Sequence, residues 1–247
     1  CCTAFSSCKI GKEYVRPELN LPQQIIAGAD TTSIDSLSWQ NFYTDTTLQH
    51  LITIALENNK DMQIAVAKVK EMMAAKRIPF AEMFPELQMR IYGESEHTDY
   101  GGNSASNDVE LGAKLAVSWE LDLWGNLRWA NEAGIAEYLQ SVEGQRAMQM
   151  TLVAEVAAAY YELRALDQEL DIVRRTLAAR REGVRLAKLR FDGGLTSETS
   201  YSQAQVELAR TETLLPSLEN RIRIKESDLS FLLGDYPGGI PRGLSFQ

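Results

Sequence analysis

The 247-residue chain carries 34 acidic and 25 basic side chains, a formal net charge of -9. That balance argues against non-specific nucleic-acid binding, because the phosphate backbone attracts clustered Lys and Arg rather than surplus carboxylates; Arg174-Arg175 and Arg180-Arg181 read instead as solvated helix faces. No apolar run reaches the roughly 18 residues of a transmembrane helix, so any membrane span has to be β-structure, the other architecture that satisfies its backbone in lipid.

Cys1, Cys2 and Cys8 are the three cysteines. Their crowding at the start suits neither a disulfide framework nor a metal site and points to processing. Phe5-Ser6-Ser7-Cys8 places small residues before a cysteine, as a bacterial lipobox does, with Phe where Leu is usual. Cys8 is therefore the candidate lipidation site and 1–8 a signal-peptide remnant; a free thiol at Cys8, or acylation at Cys1 or Cys2, are the alternatives. Residues 9–38 carry Pro17 and Pro22 without periodicity and read as an extended arm lying along something else.

Short and upper helices are expected over 39–84. Trp39, Phe42, Leu48, Leu51, Ile52, Ala55 and Leu56 give one apolar face that stops near Asn58-Asn59. A second helix starts at Asn59 or Asp61 and uses Ile64, Ala65, Val69 and Met72, with Pro79 bending or shortening it before Pro85.

After Pro85 the period switches to two, marking a β-hairpin over 85–125 with strands at 86–96 and 109–123 and a polar loop at 97–108. Leu87, Met89 and Ile91 share one face of the first strand. Val109, Leu111, Ala113, Leu115, Val117, Trp119, Leu121 and Leu123 share one face of the second, opposite Glu110, Lys114, Ser118, Glu120 and Asp122. About 9–11 tilted residues cross a bilayer as a strand with apolar side chains towards lipid; a water-soluble hairpin packed on a core gives the same alternation.

Residues 126–192 then run without a proline as one helix, on the order of 100 Å at about 1.5 Å per residue, too long for one globular core. Val153, Val156, Tyr160, Leu163, Leu166, Leu170, Val173 and Leu177 recur at alternating three- and four-residue steps, so the helix needs partner helices. Gly193-Gly194 ends it, Thr196 or Ser197 caps the next, and the chain reverses. The returning helix keeps a heptad through Tyr201, Leu208, Leu215, Ile222 and Leu229, with Ala204, Thr211, Leu218, Lys225 and Leu232 in the second register. Pro216 is expected to bend it locally. The helical hairpin thus covers 126–234 with its tip at 193–196, and a tail of little structure follows at 235–247.

No nucleophile triad, phosphate-cradling glycine loop or zinc spacing is present, and His50 and His97 lie in unrelated contexts. The sequence supplies no catalytic residue, metal ligand or cofactor site.

In order, these features resemble the TolC-like outer-membrane efflux proteins, in particular the lipoprotein branch serving RND pumps. The matching residues are 8–14 with Arg16-Pro17, then Trp39, Phe42, Asp45, Leu48, Leu51, Ile52, Ala55, Leu56, Asn59 and Asp61. Phe84-Pro85, the segment 118–125 around Trp119-Glu120-Leu121-Asp122-Leu123-Trp124-Gly125, the run 152–163, Arg190-Phe191 and Gly194-Leu195 complete the match. The segment 118–125 is the most specific of these. Lys12, where the family often has Pro, and Lys9 after the candidate lipid cysteine depart from the pattern.

The resemblance implies a mainly α fold with a β-hairpin: a long helical hairpin of a trimeric periplasmic α-barrel plus two strands of an outer-membrane β-barrel. It covers one of two family repeats, with 235–247 at the start of the second, so the chain is expected to be half a protomer; six copies replacing three full protomers is the other option. It also implies a lipid-anchored protein of the cell outer membrane, a homotrimer in the full-length family, acting as the passive exit duct of a tripartite, RND-type efflux system for drugs or other small molecules. Its partners are then a periplasmic adaptor protein at Gly193, Gly194, Leu195 and Thr196, an inner-membrane pump, and outer-membrane lipid, with no nucleic acid. A plain helix-ending turn explains the tip glycines equally. Glu110, Lys114, Ser118, Glu120 and Asp122 become candidates for the lumen, where Glu120 and Asp122 favour cations or hydrogen-bond at the periplasmic end. A type I secretion exit channel and a lipid-anchored coiled-coil scaffold without a pore are the competing functions.

Overall fold

The computed structural model describes residues 10–18, 37–98 and 106–243. Cys1, Cys2 and Cys8 and the centre of the expected loop at 97–108 lie outside them. The chain forms two units, one made of Cys1–Gln23 and Ala67–Glu143, the other of Gln24–Val66 and Gly144–Gln247.

In the second unit, 39–58 forms two helices, α1 (Trp39–Phe42) and α2 (Thr46–Asn58), rather than one. Asp45 divides them: its carboxylate accepts the Thr47 and Leu48 N–H groups at 2.8 and 3.3 Å, an N-cap that satisfies donors the first turn leaves orphaned. The stripe Leu48, Leu51, Ile52 and Ala55 of α2 is buried in one core with Leu152, Val156, Tyr160 and Leu163 of α5 (Asn126–Asp192) and Leu229 of α6 (Glu198–Leu232). Each fully buried Leu, Ile or Val contributes about 1.5–3 kcal/mol.

Asn59 starts α3 (Lys60–Ala75) and closes α6 together. Only 3% exposed, it accepts the Met62 N–H through Oδ1 at 3.0 Å and donates Nδ2 to the Leu232 carbonyl at 2.9 Å. One amide thereby serves an orphan donor of one helix and an orphan acceptor of another. Gly234 follows in the left-handed region, φ 73, against the Asn58 carbonyl, where a side chain has no room.

The seam of α5 is buried as its spacing requires, from Val153 through Val173 to Leu177, with Leu170 half-buried. Leu218, Ile222 and Leu229 of α6 belong to the same core, and Thr211 is buried on the same helix. Pro216 sits inside a continuous α6, where its missing N–H forfeits the bond to the Glu212 carbonyl. The residues after α6 are more ordered than their composition suggests: Leu233 and Ile240 are buried in the core.

In the first unit, α3 ends at Ala75 and α4 (Arg77–Glu82) follows, because the Pro79 ring excludes the Ala75 carbonyl four residues back from helical bonding. The hairpin is an antiparallel pair, β1 (Glu86–Thr98) with β2 (Ser106–Ser118), in register from Glu86↔Ser118 to Thr98↔Ser106. The ladder therefore extends into the expected loop and ends five residues short of Leu123. The next rung would put Pro85 opposite Trp119, and proline has no N–H to offer a ladder. Trp119 donates its indole Nε1–H to the Met83 carbonyl instead, at 3.2 Å.

The arm has one firm attachment at 10–18: the Ile10 N–H donates to the Trp124 carbonyl at 3.2 Å, and Trp129 Nε1–H donates to the Ile10 carbonyl at 2.8 Å. Gly11 lies on the Trp129 indole, where a Cβ would come within 2.8 Å of the ring.

Candidate functional site

The residues singled out by sequence fall at the tip of the helical hairpin, on the β-hairpin and in the segment joining β2 to α5. At the tip, the Gly194 N–H donates to the Phe191 carbonyl at 2.9 Å and the Leu195 N–H to the Arg190 carbonyl at 2.8 Å. With Gly194 at φ 69, these bonds make a Schellman motif. The apolar residue that follows is not tucked back under the helix end: Leu195 is 81% exposed. Ser197, rather than Thr196, caps α6 by accepting the Ser200 N–H. Phe191 and Tyr201 stack at 6.0 Å between centroids and brace the helices just inside the turn.

The hairpin sorts its side chains by face. Leu87, Met89, Ile91, Leu111, Leu115 and Val117 stand on one face and are exposed, so the unit supplies no core for them. Glu110, Lys114 and Ser118 stand on the other, opposite Glu94, Arg90 and Glu86. Among the described residues, no helix is long and apolar enough to cross a membrane.

Glu120 and Asp122 lie beyond the ladder, in the segment joining β2 to α5. Asp122 accepts the Leu127 and Arg128 N–H groups at 3.2 and 3.1 Å and pairs with the Arg128 guanidinium at 3.1 Å. It thus anchors the N-terminus of α5, where a carboxylate complements the helix dipole. Partial burial pushes its carboxyl up, but the Arg128 N–H, the Arg128 side chain and the Leu127 N–H together hold it below the ordinary value. Glu120 is exposed.

A further cluster, around Tyr160, was not among the sequence candidates. Tyr160, fully buried on α5, donates its hydroxyl to Asp45 Oδ2 at 2.7 Å and accepts from Arg164 Nη1 at 3.2 Å and from the Gly243 N–H at 2.9 Å. Beside it, Arg242 reaches Asp167 at 3.0 Å and Glu226 at 2.6 Å. Burial, then the Asp45 carboxylate, push the Tyr160 phenol above its ordinary value. Burial also acts to raise Asp45, but the Tyr160 hydroxyl, the two capping N–H groups and Arg164 outweigh it and hold the carboxyl low. A protonated phenol against an ionised carboxylate makes a strong, charge-assisted fastening. It ties the start of α2 and the chain after α6 to one point on α5. The only sequence signal for it is that Asp45 and Tyr160 both fall within runs matching the family pattern.

The sequence model of the outer membrane efflux protein family matches residues 51–235, and the chain belongs to that family. Among individual proteins, it is 28% identical over 246 residues to the cation efflux system protein CusC of Escherichia coli, covering 97% of this chain and 53% of that one. The toluene efflux pump outer membrane protein TtgF of Pseudomonas putida is 31% identical over 233 residues, 86% of this chain and 48% of TtgF. A crystal structure of CusC superposes with a TM-score of 0.81 at 26% identity, over 97% of this chain and 54% of that one. A membrane protein from Pseudomonas aeruginosa gives 0.78 at 26% identity, over 96% and 56%. The mainly helical fold with one β-hairpin is thus that of the TolC-like channels, and the chain spans about half the length of the curated relatives it matches.

Proposed function

We propose that this chain is one repeat of an outer-membrane channel that serves as the passive exit duct of a tripartite, RND-type efflux system for drugs or other small molecules. The observation that carries the reading is the hairpin: a 13-residue antiparallel pair with one wholly exposed apolar face and one charged face. That length exceeds the roughly 9–11 residues a tilted strand needs to cross a bilayer, and the sorting of faces suits lipid outside and water inside. Kinship with CusC and TtgF, named for cation and toluene efflux, supports the same role.

On this reading β1 and β2 join further strands to close a barrel, since a two-stranded edge exposed in lipid leaves backbone groups unpaired. Helices α5 and α6 are staves of a periplasmic tunnel, and the assembly is a trimer of two-repeat protomers. Cys8 carries the lipid anchor. The tip at Gly193, Gly194, Leu195 and Thr196 meets a periplasmic adaptor, with exposed Leu195 as the contact and the glycines setting the turn. The duct performs no chemistry; the inner-membrane pump supplies the work.

Extraction of the intact protein from outer membranes tests this. Detergent dependence and heat-resistant oligomers on SDS gels are expected. A monomer that stays in solution without lipid or detergent would sink the reading.

A further inference from the structure

We propose that Arg90 and Lys114 form a cationic rung that binds phosphate- or carboxylate-bearing anions in the lumen, and that it acts as a charge filter with a separate acidic rung of Glu94 and Glu110. The inference rests on the channel reading above and names the specificity-determining residues within it.

The register puts Arg90 directly opposite Lys114 and Glu94 directly opposite Glu110, all on the polar face. Like charges opposed across an antiparallel pair destabilise it, whereas opposite charges stabilise it. Exchanging Arg90 with Glu94 would convert both unfavourable rungs into favourable ones without changing composition. All four side chains are exposed, and among the described residues none has an ion-pair partner that relieves the repulsion. Along the polar face the charges run in bands, acidic at Glu86, cationic at Arg90 and Lys114, then acidic at Glu94, Glu110 and Glu96, instead of being neutralised across the pair.

Between the rungs, Tyr92 lies across Gly112, where a Cβ would overlap the phenol ring. At about 3.4 Å per residue, the four residues from Arg90 to Glu94 separate the two signs by roughly 13–14 Å, further than the screening length of physiological salt, about 8 Å. A solute moving along the strands therefore meets two distinct fields rather than one averaged field. Rings of like charge are how pores select ions, with Arg and Lys favouring anions and phosphates. The Arg guanidinium adds a planar fork that matches a phosphate or carboxylate with two parallel hydrogen bonds. Symmetry copies would repeat each rung around the lumen.

Planar-bilayer recordings of the intact protein test this, with inorganic tripolyphosphate as the blocking anion and reversal potentials taken in a KCl gradient. Tripolyphosphate should block the wild type. In Arg90→Gln/Lys114→Gln the block should weaken by about tenfold or more, and the reversal potential should move towards cation preference. Glu94→Gln/Glu110→Gln should keep the block and move the potential the other way. The exchange variant Arg90→Glu/Glu94→Arg, which mixes both rungs and favours folding of the hairpin, should also lose the block. Conducting variants with unchanged block and unchanged reversal potential would overturn the charge filter alone. A wild type that forms no pore would remove the channel reading, and this inference with it.

Discussion

Replacing Tyr160 with Phe deletes one oxygen from the point where Asp45, Arg164 and Gly243 converge. Its hydroxyl takes part in three hydrogen bonds, at 2.7, 3.2 and 2.9 Å, two of them to charged groups. Asp45 keeps its bonds to Thr47 and Leu48, whereas the Gly243 N–H loses its acceptor. Hydrogen bonds to charges contribute about 1.5–3 kcal/mol each, and an unpaired buried donor costs about 1–3 kcal/mol. Partial re-pairing reduces the sum, so a loss of about 2–4 kcal/mol is expected at neutral pH, or a fall in Tm on the order of 5–15 °C. The pH dependence adds a second signature. Asp45 is held below its ordinary value of 3.8, so its contribution is present above that pH and is lost as the pH falls through the lower folded-state value. The Tyr160 phenol is raised above 10.0, so its contribution is present below that pH and is lost only as the pH rises further. Thermal unfolding by circular dichroism should show the variant's deficit constant between pH 5 and 9 and shrinking below about pH 3.8. A deficit under about 0.5 kcal/mol at pH 7, or one that does not shrink in acid, refutes the assignment of Tyr160 as the hub.

Arg242→Met leaves Asp167 and Glu226 without their shared cation and should cost about 1–3 kcal/mol; limited proteolysis should then cut after residue 234 sooner than in the wild type, and an unchanged digest counts against the tie. Leu195→Glu should leave Tm within the equivalent of about 0.5 kcal/mol, because the side chain is exposed, yet abolish co-purification with the periplasmic adaptor. Retained co-purification would refute Leu195 as the proposed adaptor contact. Leu115→Arg should cost about 2–4 kcal/mol if its face meets the bilayer midplane, read as fewer heat-resistant oligomers in outer membranes; equal yields would mean that this face is not in lipid.

Much of the fold is written in local patterns. The bounds of α5, the two registers of α6 and the sorting of hairpin faces follow from spacing and glycines alone, because an isolated helix or strand expresses its own period. The ladder's end at Ser118 did not follow: the alternation continues through Leu123, and only the partner strand's Pro85 halts the pairing. The break between α1 and α2 was carried by Asp45, a capping residue inside an apolar stripe that otherwise reads straight through. The Tyr160 hub was least legible. It joins groups 115, 4 and 83 residues away, and no periodicity encodes such partners. Asp122 carried an ambiguous signal, since a carboxylate at the end of the alternating run suits a lumen wall and a hydrogen-bonding role at that end equally.

The turn at Gly193 and Gly194 also has a kinetic meaning. Contacts between α5 and α6 climb away from it in order, with Arg181 to Glu212 spanning 31 residues and Arg174 to Glu219 spanning 45. Closing each successive loop adds little entropy cost once the one before it is shut, because that cost grows only with the logarithm of loop length. The hairpin can therefore zip from its bend, so that the bend acquires its form first. Changes at the bend should then chiefly slow refolding, and loss of the distant Lys225 to Glu162 pair at 2.8 Å should chiefly quicken unfolding.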